Sequence, residues 1–172
     1  MRSLLADGNL RSATSIPGTQ LFVYEASMIP KEPLRFITAS EMELEQLPWG
    51  PHEWLCRPGI TDAKQLLLVR VHMPPGQGHA FHRHPAMEEI IYVISGRAEQ
   101  WVDTVSRHLA PGESAHIPRD VVHGTYNAGD ETLVFLAILS PAIFEGPTVV
   151  DASHEEPWAS LRPASAPADN AR

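Results

Sequence analysis

The sequence contains a single cysteine, Cys56, among its 172 residues. One cysteine cannot form an intramolecular disulfide, so we expect a reducing, cytoplasmic environment. Long apolar stretches are also missing: the longest aliphatic run, residues 133–139, is far shorter than the roughly 20 residues that a membrane helix needs. The first seven residues turn polar before any apolar leader region develops, so we expect no secretory signal. These absences predict a soluble protein without a membrane partner.

Positive charge is scarce as well. Lys and Arg number 13 against 21 Asp and Glu, which gives a formal net charge of -8. A chain with this balance is repelled by the phosphate backbone of nucleic acids and by anionic lipid surfaces. We therefore expect neither nucleic acid nor a membrane as a partner, and a small molecule instead.

Long helices are excluded by the 16 prolines and 11 glycines, which interrupt the chain too often. From residue 65 onward, short β-prone runs alternate with Gly- and Pro-containing turns, a rhythm typical of an all-β sandwich or barrel. The predicted strands cover residues 65–73, 79–84, 89–95, 98–105, 114–117, 123–126 and 133–139. The fold class predicted from this pattern is all-β.

We divide the chain into four segments by composition. They are a flexible N-terminal arm (1–19), an accessory segment that packs on the barrel (20–64), the barrel itself (65–154) and a disordered tail rich in Ala, Pro and Ser (155–172).

The accessory segment carries mixed signals. Residues 21–24 and 34–37 are short β-prone runs that predict accessory strands. Ser40 followed by Glu43 resembles a capping box and predicts one short helix over residues 40–47. Residues 49–54 predict a rigid aromatic loop that packs on the core.

Histidine, with nine copies, is more frequent than structure alone requires. His82 and His84 are two positions apart, so on a strand both side chains point to the same face. Glu89 opens the next strand and can return a carboxylate beside them, and His123 is the fourth candidate. An isolated strand histidine is usually a core or surface residue, but these four together predict a metal site.

Three imidazoles and one carboxylate suit Fe, Mn, Ni, Cu or Zn better than Ca or Mg. Four protein ligands on an octahedral ion would leave two neighbouring positions for substrate, water or O2. The remaining histidines show no comparable spacing, and we assign them structural or surface roles: His52, His72, His79, His108, His116 and His154.

The spacing of these residues resembles the two sequence motifs of the cupin superfamily. The first, G-x5-H-x-H-x4-E-x6-G, is matched by Gly76, His82, His84, Glu89 and Gly96. The second, G-x5-P-x-G-x2-H-x3-N, is matched by Gly112, Pro118, His123 and Asn127, with Asp120 in place of its middle glycine. The resemblance covers residues 65–140 and implies a double-stranded β-helix, or jelly-roll, barrel. It does not imply one reaction, because cupins include oxygenases, isomerases, hydrolases, lyases and non-enzymes.

The resemblance also implies that Gln100 faces the barrel interior, which makes it a candidate substrate contact in the catalytic site together with Glu89. The alternative for Gln100 is an amide whose hydrogen bonds are made by the backbone or by a metal-bound water.

The strand that begins at Glu89 has two apolar faces. If Glu89 points inward, Ile91 and Val93 follow it by alternation, and Ile90, Tyr92 and Ile94 point outward. An outward apolar face must be buried against another sheet or another subunit, and we therefore predict a homodimer.

Two functions fit these residues. The first is a mononuclear metalloenzyme with oxygenase-type (dioxygenase-like) or isomerase-type chemistry on a small organic substrate, in which Glu89 is a ligand and a potential proton acceptor. The second is a non-catalytic cupin that binds or senses a small molecule and holds a structural metal.

Overall fold

The computed structural model describes residues 32–162, and nearly all regular structure in this range is β-strand. The predicted N-terminal arm (1–19), the predicted strand at 21–24 and the last ten residues of the predicted tail lie outside the described residues. Within 32–162, no helix is long and apolar enough to cross a membrane.

Within residues 32–162, eleven strands form two antiparallel sheets. The strands are β1 (Glu43–Leu47), β2 (Gly50–Cys56), β3 (Leu67–Met73), β4 (Gly78–Arg83), β5 (Glu88–Ser95), β6 (Ala98–Val102), β7 (Val105–Leu109), β8 (Ser114–Ile117), β9 (His123–Asn127), β10 (Leu133–Ser140) and β11 (Val150–Asp151). The six-stranded sheet has the order β1-β2-β3-β10-β5-β8, and the five-stranded sheet has the order β11-β4-β9-β6-β7. The predicted all-β jelly-roll class is confirmed.

The main core consists of the inward side chains of both sheets. Alternation places Ile91 and Val93 of β5 in this core, whereas Ile90, Tyr92 and Ile94 on the other face are 40–42% exposed in the single chain. The predicted arrangement of this strand, with one apolar face inward and a second apolar face outward, is therefore present.

The predicted helix over residues 40–47 is wrong, because residues 43–47 form strand β1. A helix-capping turn does occur, but two residues earlier: Glu41 accepts hydrogen bonds from the amide (2.9 Å) and the hydroxyl (2.7 Å) of Thr38. The turn is not continued, because Glu43 pairs with Arg57 and Glu45 accepts a hydrogen bond from Nε1 of Trp54 at 2.8 Å. These cross-strand contacts favour an extended chain over the local helix signal.

Two other predictions for the accessory segment are also wrong. Residues 34–37 form no strand, and the predicted aromatic loop at 49–54 is largely strand β2. The accessory strands are therefore β1 and β2, which extend the six-stranded sheet beside β3.

The predicted single strand at 98–105 is a hairpin formed by β6 and β7. The chain turns at Asp103, which has a φ of 53°. Asp adopts this left-handed conformation more readily than most residues, so the turn lacks the glycine that would have revealed it in the sequence.

The predicted disorder of the tail is wrong for its first residues. A short helix, α1 (Trp158–Leu161), follows β11. Trp158 packs against a second cluster of buried residues that includes Phe81 and Val122, and Arg162 lies over the ring of Tyr126 at 4.1 Å. One large aromatic side chain therefore anchors a segment whose average composition predicts no buried surface.

Candidate metal centre

Four buried side chains meet between the two sheets. His82 is on β4, His84 follows that strand, His123 is on β9 and Glu89 is on β5 of the opposite sheet. One ligand atom from each residue lies within 4.8 Å of the others. The structure thus brings together all four residues that the sequence predicts as metal ligands.

The strand pairing explains this convergence. In the antiparallel ladder of β4 and β9, His82 lies directly opposite His123, so both imidazoles project from one face of the five-stranded sheet. Glu89 projects from the six-stranded sheet toward them, while its neighbour Glu88 is exposed. The site therefore joins the two sheets.

Each of the three histidines is held in the same way. Nδ1 of His82 donates to the carbonyl of Ala80 (2.7 Å), and Nδ1 of His123 donates to that of Val121 (3.0 Å). Nδ1 of His84 donates to the carbonyl of Thr148 at 2.6 Å. A backbone acceptor on Nδ1 leaves the lone pair on Nε2, which is the usual arrangement of a metal-binding histidine.

The ligand atoms also show that the site fits a cation. Nε2 of His123 lies 2.8 Å from Oε2 of Glu89, yet neither buried atom has a partner in hydrogen-bond geometry. Nε2 of His84 lies 3.3 Å from the same carboxylate oxygen. Leaving such atoms unpaired is costly, and a transition-metal ion bound by all of them removes the cost.

The protonation states suit metal binding. Burial opposes ionisation of Glu89, but the neighbouring His123 and His84 outweigh it and hold the pKa of Glu89 well below its usual range. Burial, reinforced by the surrounding histidines, lowers the pKa of His82 well below 6.5. The carboxylate is therefore anionic and His82 neutral around neutral pH, as coordination requires.

Gln100, the other predicted site residue, is buried on β6, where it pairs with Thr125 of β9, the strand that carries His123. Its Nε2 donates to the carbonyl of Trp101 (2.9 Å), and its Oε1 accepts from the hydroxyl of Thr125 (2.7 Å). The protein itself therefore satisfies both ends of the amide, and its burial is explained without a substrate contact.

One histidine of the site was missed by the sequence prediction. The ring of His79 stacks on that of His82 with centroids 3.7 Å apart, and Trp49 stacks on the other side of His79 at 4.4 Å. Burial, partly offset by Glu89, lowers the pKa of His79 to about 3. Simple alternation from His82 places His79 on the opposite face, but a bulge between these residues reverses it. The sequence carries no signal for this bulge.

Comparison with known proteins agrees with the sequence motifs. Residues 69–139 match the family model for the cupin domain. Polyketide synthase CurC of Streptomyces cyaneus is 31% identical over 107 residues, which span 62% of this chain and 70% of that protein.

Solved structures show the same similarity. A RmlC-like cupin from Shewanella frigidimarina has a TM-score of 0.56 at 23% identity, covering 66% of this chain and 96% of that one, which supports the fold alone. Oxalate decarboxylase of Bacillus subtilis, with its Mn(II) centres, has a TM-score of 0.56 at 26% identity. That match covers 65% of this chain and 30% of the decarboxylase.

Proposed function

The chain belongs to the cupin superfamily, and from this premise we propose that it is a mononuclear metal-dependent enzyme acting on a small organic substrate. The observation that carries the proposal is the buried cluster of three histidines and Glu89, in which Oε2 of Glu89 and Nε2 of His123 converge without hydrogen-bond partners. We propose His82, His84, Glu89 and His123 as the ligands of one Fe, Mn, Ni, Cu or Zn ion.

The ligand set favours one class of substrate. A divalent ion with three neutral imidazoles and one carboxylate keeps a net positive charge, so it attracts an anionic oxygen ligand such as a carboxylate or an enolate. When bound, the metal supplies Lewis-acid or O2-activating chemistry. Ile91 and Val93, on the same face of β5 as Glu89, are buried in the apolar core on that side of the cluster.

The related proteins support an oxygen-rich substrate. Oxalate, the substrate named for the Bacillus subtilis decarboxylase, is a small dicarboxylate, and a polyketide synthase handles carbonyl-rich chains. We therefore propose a small carboxylate or β-dicarbonyl compound as substrate, with oxygenase-type or isomerase-type chemistry. Glu89 is the proposed proton acceptor once it dissociates from the metal, because it is the anionic group of the cluster.

The internal hydrogen bonds of Gln100 favour a second candidate. Because Thr125 and Trp101 each bind one end of this amide, its burial is explained without a role as a group that orients a reacting substrate. A non-catalytic cupin that binds or senses a small molecule, with a structural metal, needs no such group.

Metal analysis followed by turnover assays tests the proposal. The protein is purified without a metal-affinity tag or chelators, its metals are measured, and the loaded form is assayed with dicarboxylates and β-dicarbonyl compounds while O2 consumption is recorded. Stoichiometric metal with turnover supports the enzyme. Bound metal whose spectrum responds to these compounds without turnover supports the binding protein, and no metal after reconstitution overturns both.

We expect metal affinity to weaken as the pH falls through the neutral range. Burial opposes protonation of His84, but Glu89 and the Thr148 carbonyl outweigh it and raise the pKa of His84 above 6.5. Below that pKa a proton occupies Nε2 of His84, and for one competing proton the affinity drops about tenfold per pH unit. Glu89 stays ionised, because its pKa is much lower. Titration of metal-free protein with Mn(II) at several pH values measures the slope, and an affinity independent of pH contradicts the expectation.

We also propose that the protein is a homodimer. The outward side chains of Ile90, Tyr92 and Ile94 form an exposed apolar stripe on the six-stranded sheet, and Leu136 of β10 lies beside Tyr92. A stripe of this kind buries well against a second copy related by two-fold symmetry. We expect light scattering to report twice the 19.0 kDa chain mass and Tyr92→Glu to report a monomer. A wild-type monomer at micromolar concentration contradicts the proposal.

A further inference from the structure

Four aromatic rings form a continuous column that ends on a proposed metal ligand. His52 meets Trp49 edge to face at 4.1 Å, Trp49 stacks on His79 at 4.4 Å, and His79 stacks on His82 at 3.7 Å. Beyond His82 lies His123, with ring centroids 4.1 Å apart. The ring of His82 is therefore held between a stacked neighbour on one side and a second proposed ligand on the other.

The outer half of the column comes from the accessory hairpin of β1 and β2, which lies outside the residues that match the cupin family model. Trp49 occupies the turn of this hairpin, and His52 is buried on β2 with its Nδ1 donating to the carbonyl of Gly50 at 2.9 Å. Gly50 has a φ of +133°, and a Cβ there would come within 2.1 Å of the His72 carbonyl oxygen. Glycine at this position therefore lets the hairpin approach β3 closely and sets the position of Trp49.

Stacking supplies a restraint that the hydrogen bond of His82 does not. The bond from Nδ1 to the Ala80 carbonyl fixes one edge of the ring, but the ring can still tilt about that bond. The ring of His79, which lies 26° from parallel to that of His82 and is held in turn by Trp49, restrains the plane of the His82 ring and so the direction of its Nε2.

We propose that Trp49 and His79 are positioning residues that brace the metal ligand His82 by stacking, and that the accessory hairpin serves to deliver this brace. The inference rests on the proposed function, since it assumes that the cluster binds a metal ion. In this proposal His79 acts by stacking and not as a ligand, since the four-residue cluster of possible ligands does not include it.

Metal titration of the full-length, metal-free protein tests the brace. Loss of groups that orient a ligand typically weakens metal binding 10–100-fold, so we expect Trp49→Ala and His79→Ala to raise the Kd for Mn(II) or Co(II) by roughly tenfold or more. His79→Phe keeps a flat ring without nitrogen atoms, and its Kd should stay within about threefold of wild type. The visible spectrum of the Co(II) form should change in the two alanine variants and return toward wild type in His79→Phe.

Leu44→Ala is the matched control, because Leu44 lies on the same hairpin but is 61% exposed, and its removal leaves the contact between Glu45 and Trp54 in place. Its Kd and Co(II) spectrum should equal those of wild type, while the melting temperature of each metal-free variant reports any general loss of stability. Equal Kd values in all variants, or a His79→Phe variant as weak as His79→Ala, would overturn the brace and leave the metal site intact. A wild-type protein that binds no metal would overturn the proposed function and the brace together.

Discussion

Glu89→Gln is expected to raise the Kd for a divalent metal by more than about 100-fold, a larger loss than removal of an outer-shell partner causes. The substitution keeps the size of the side chain but removes the anionic group of the cluster. Without that charge, three neutral imidazoles must hold a doubly charged ion, and the oxygen that lies 2.8 Å from Nε2 of His123 no longer attracts a cation strongly.

Glu88→Gln provides a closely matched control. Glu88 is the preceding residue on β5, but alternation turns it to the exposed face, where it lies 3.2 Å from His116. Isothermal titration of both metal-free variants with Mn(II) measures the difference, and elemental analysis of the purified proteins checks it independently. Equal metal content in the two variants would exclude Glu89 as a ligand.

The contrast between Glu88 and Glu89 shows why this part of the site could be predicted from sequence. Because side chains alternate between the two faces of a strand, the face of a residue can be predicted from its position. The inward directions predicted in this way for His82, His84 and Glu89 are correct. The backbone conformation at Asp120 follows from the motif. Asp120 stands where the cupin motif has glycine, and its φ of 62° shows that it adopts the left-handed conformation that glycine would adopt there.

Counting fails wherever the strand is irregular or the pairing partner is unknown. The bulge in β4 turned His79 toward His82, although its sequence position indicates the opposite face. Residues 43–47 carry a helix-compatible pattern, but pairing with β2 stabilises them as a strand through the contacts of Glu43 with Arg57 and of Glu45 with Trp54. The bulge at His79 and the hairpin that carries Trp49 together form the column of rings that ends on His82. Because neither feature was predicted, the column could not be predicted from the sequence.

Removing the metal is expected to lower the melting temperature substantially, because the proposed ligands tie the two sheets together. His82 and His123 belong to the five-stranded sheet and Glu89 to the six-stranded one. At a free metal concentration of about 1,000 times Kd, binding stabilises the folded state by about 4 kcal/mol. For a chain of this length that corresponds to roughly 10 °C in Tm.

Differential scanning calorimetry of metal-loaded protein, with and without chelator, measures this shift. Glu89→Gln is the internal control: with a Kd raised by about 100-fold or more, the same free metal stabilises it by at most about 1.4 kcal/mol, so chelation should lower its Tm much less than that of wild type. If chelation leaves the Tm of verified metal-loaded wild type unchanged, the ion does not bridge the sheets. In that case the convergence of Glu89 Oε2 on His123 Nε2 must be stabilised by the fold alone, since a ligand specific to the native state always raises Tm.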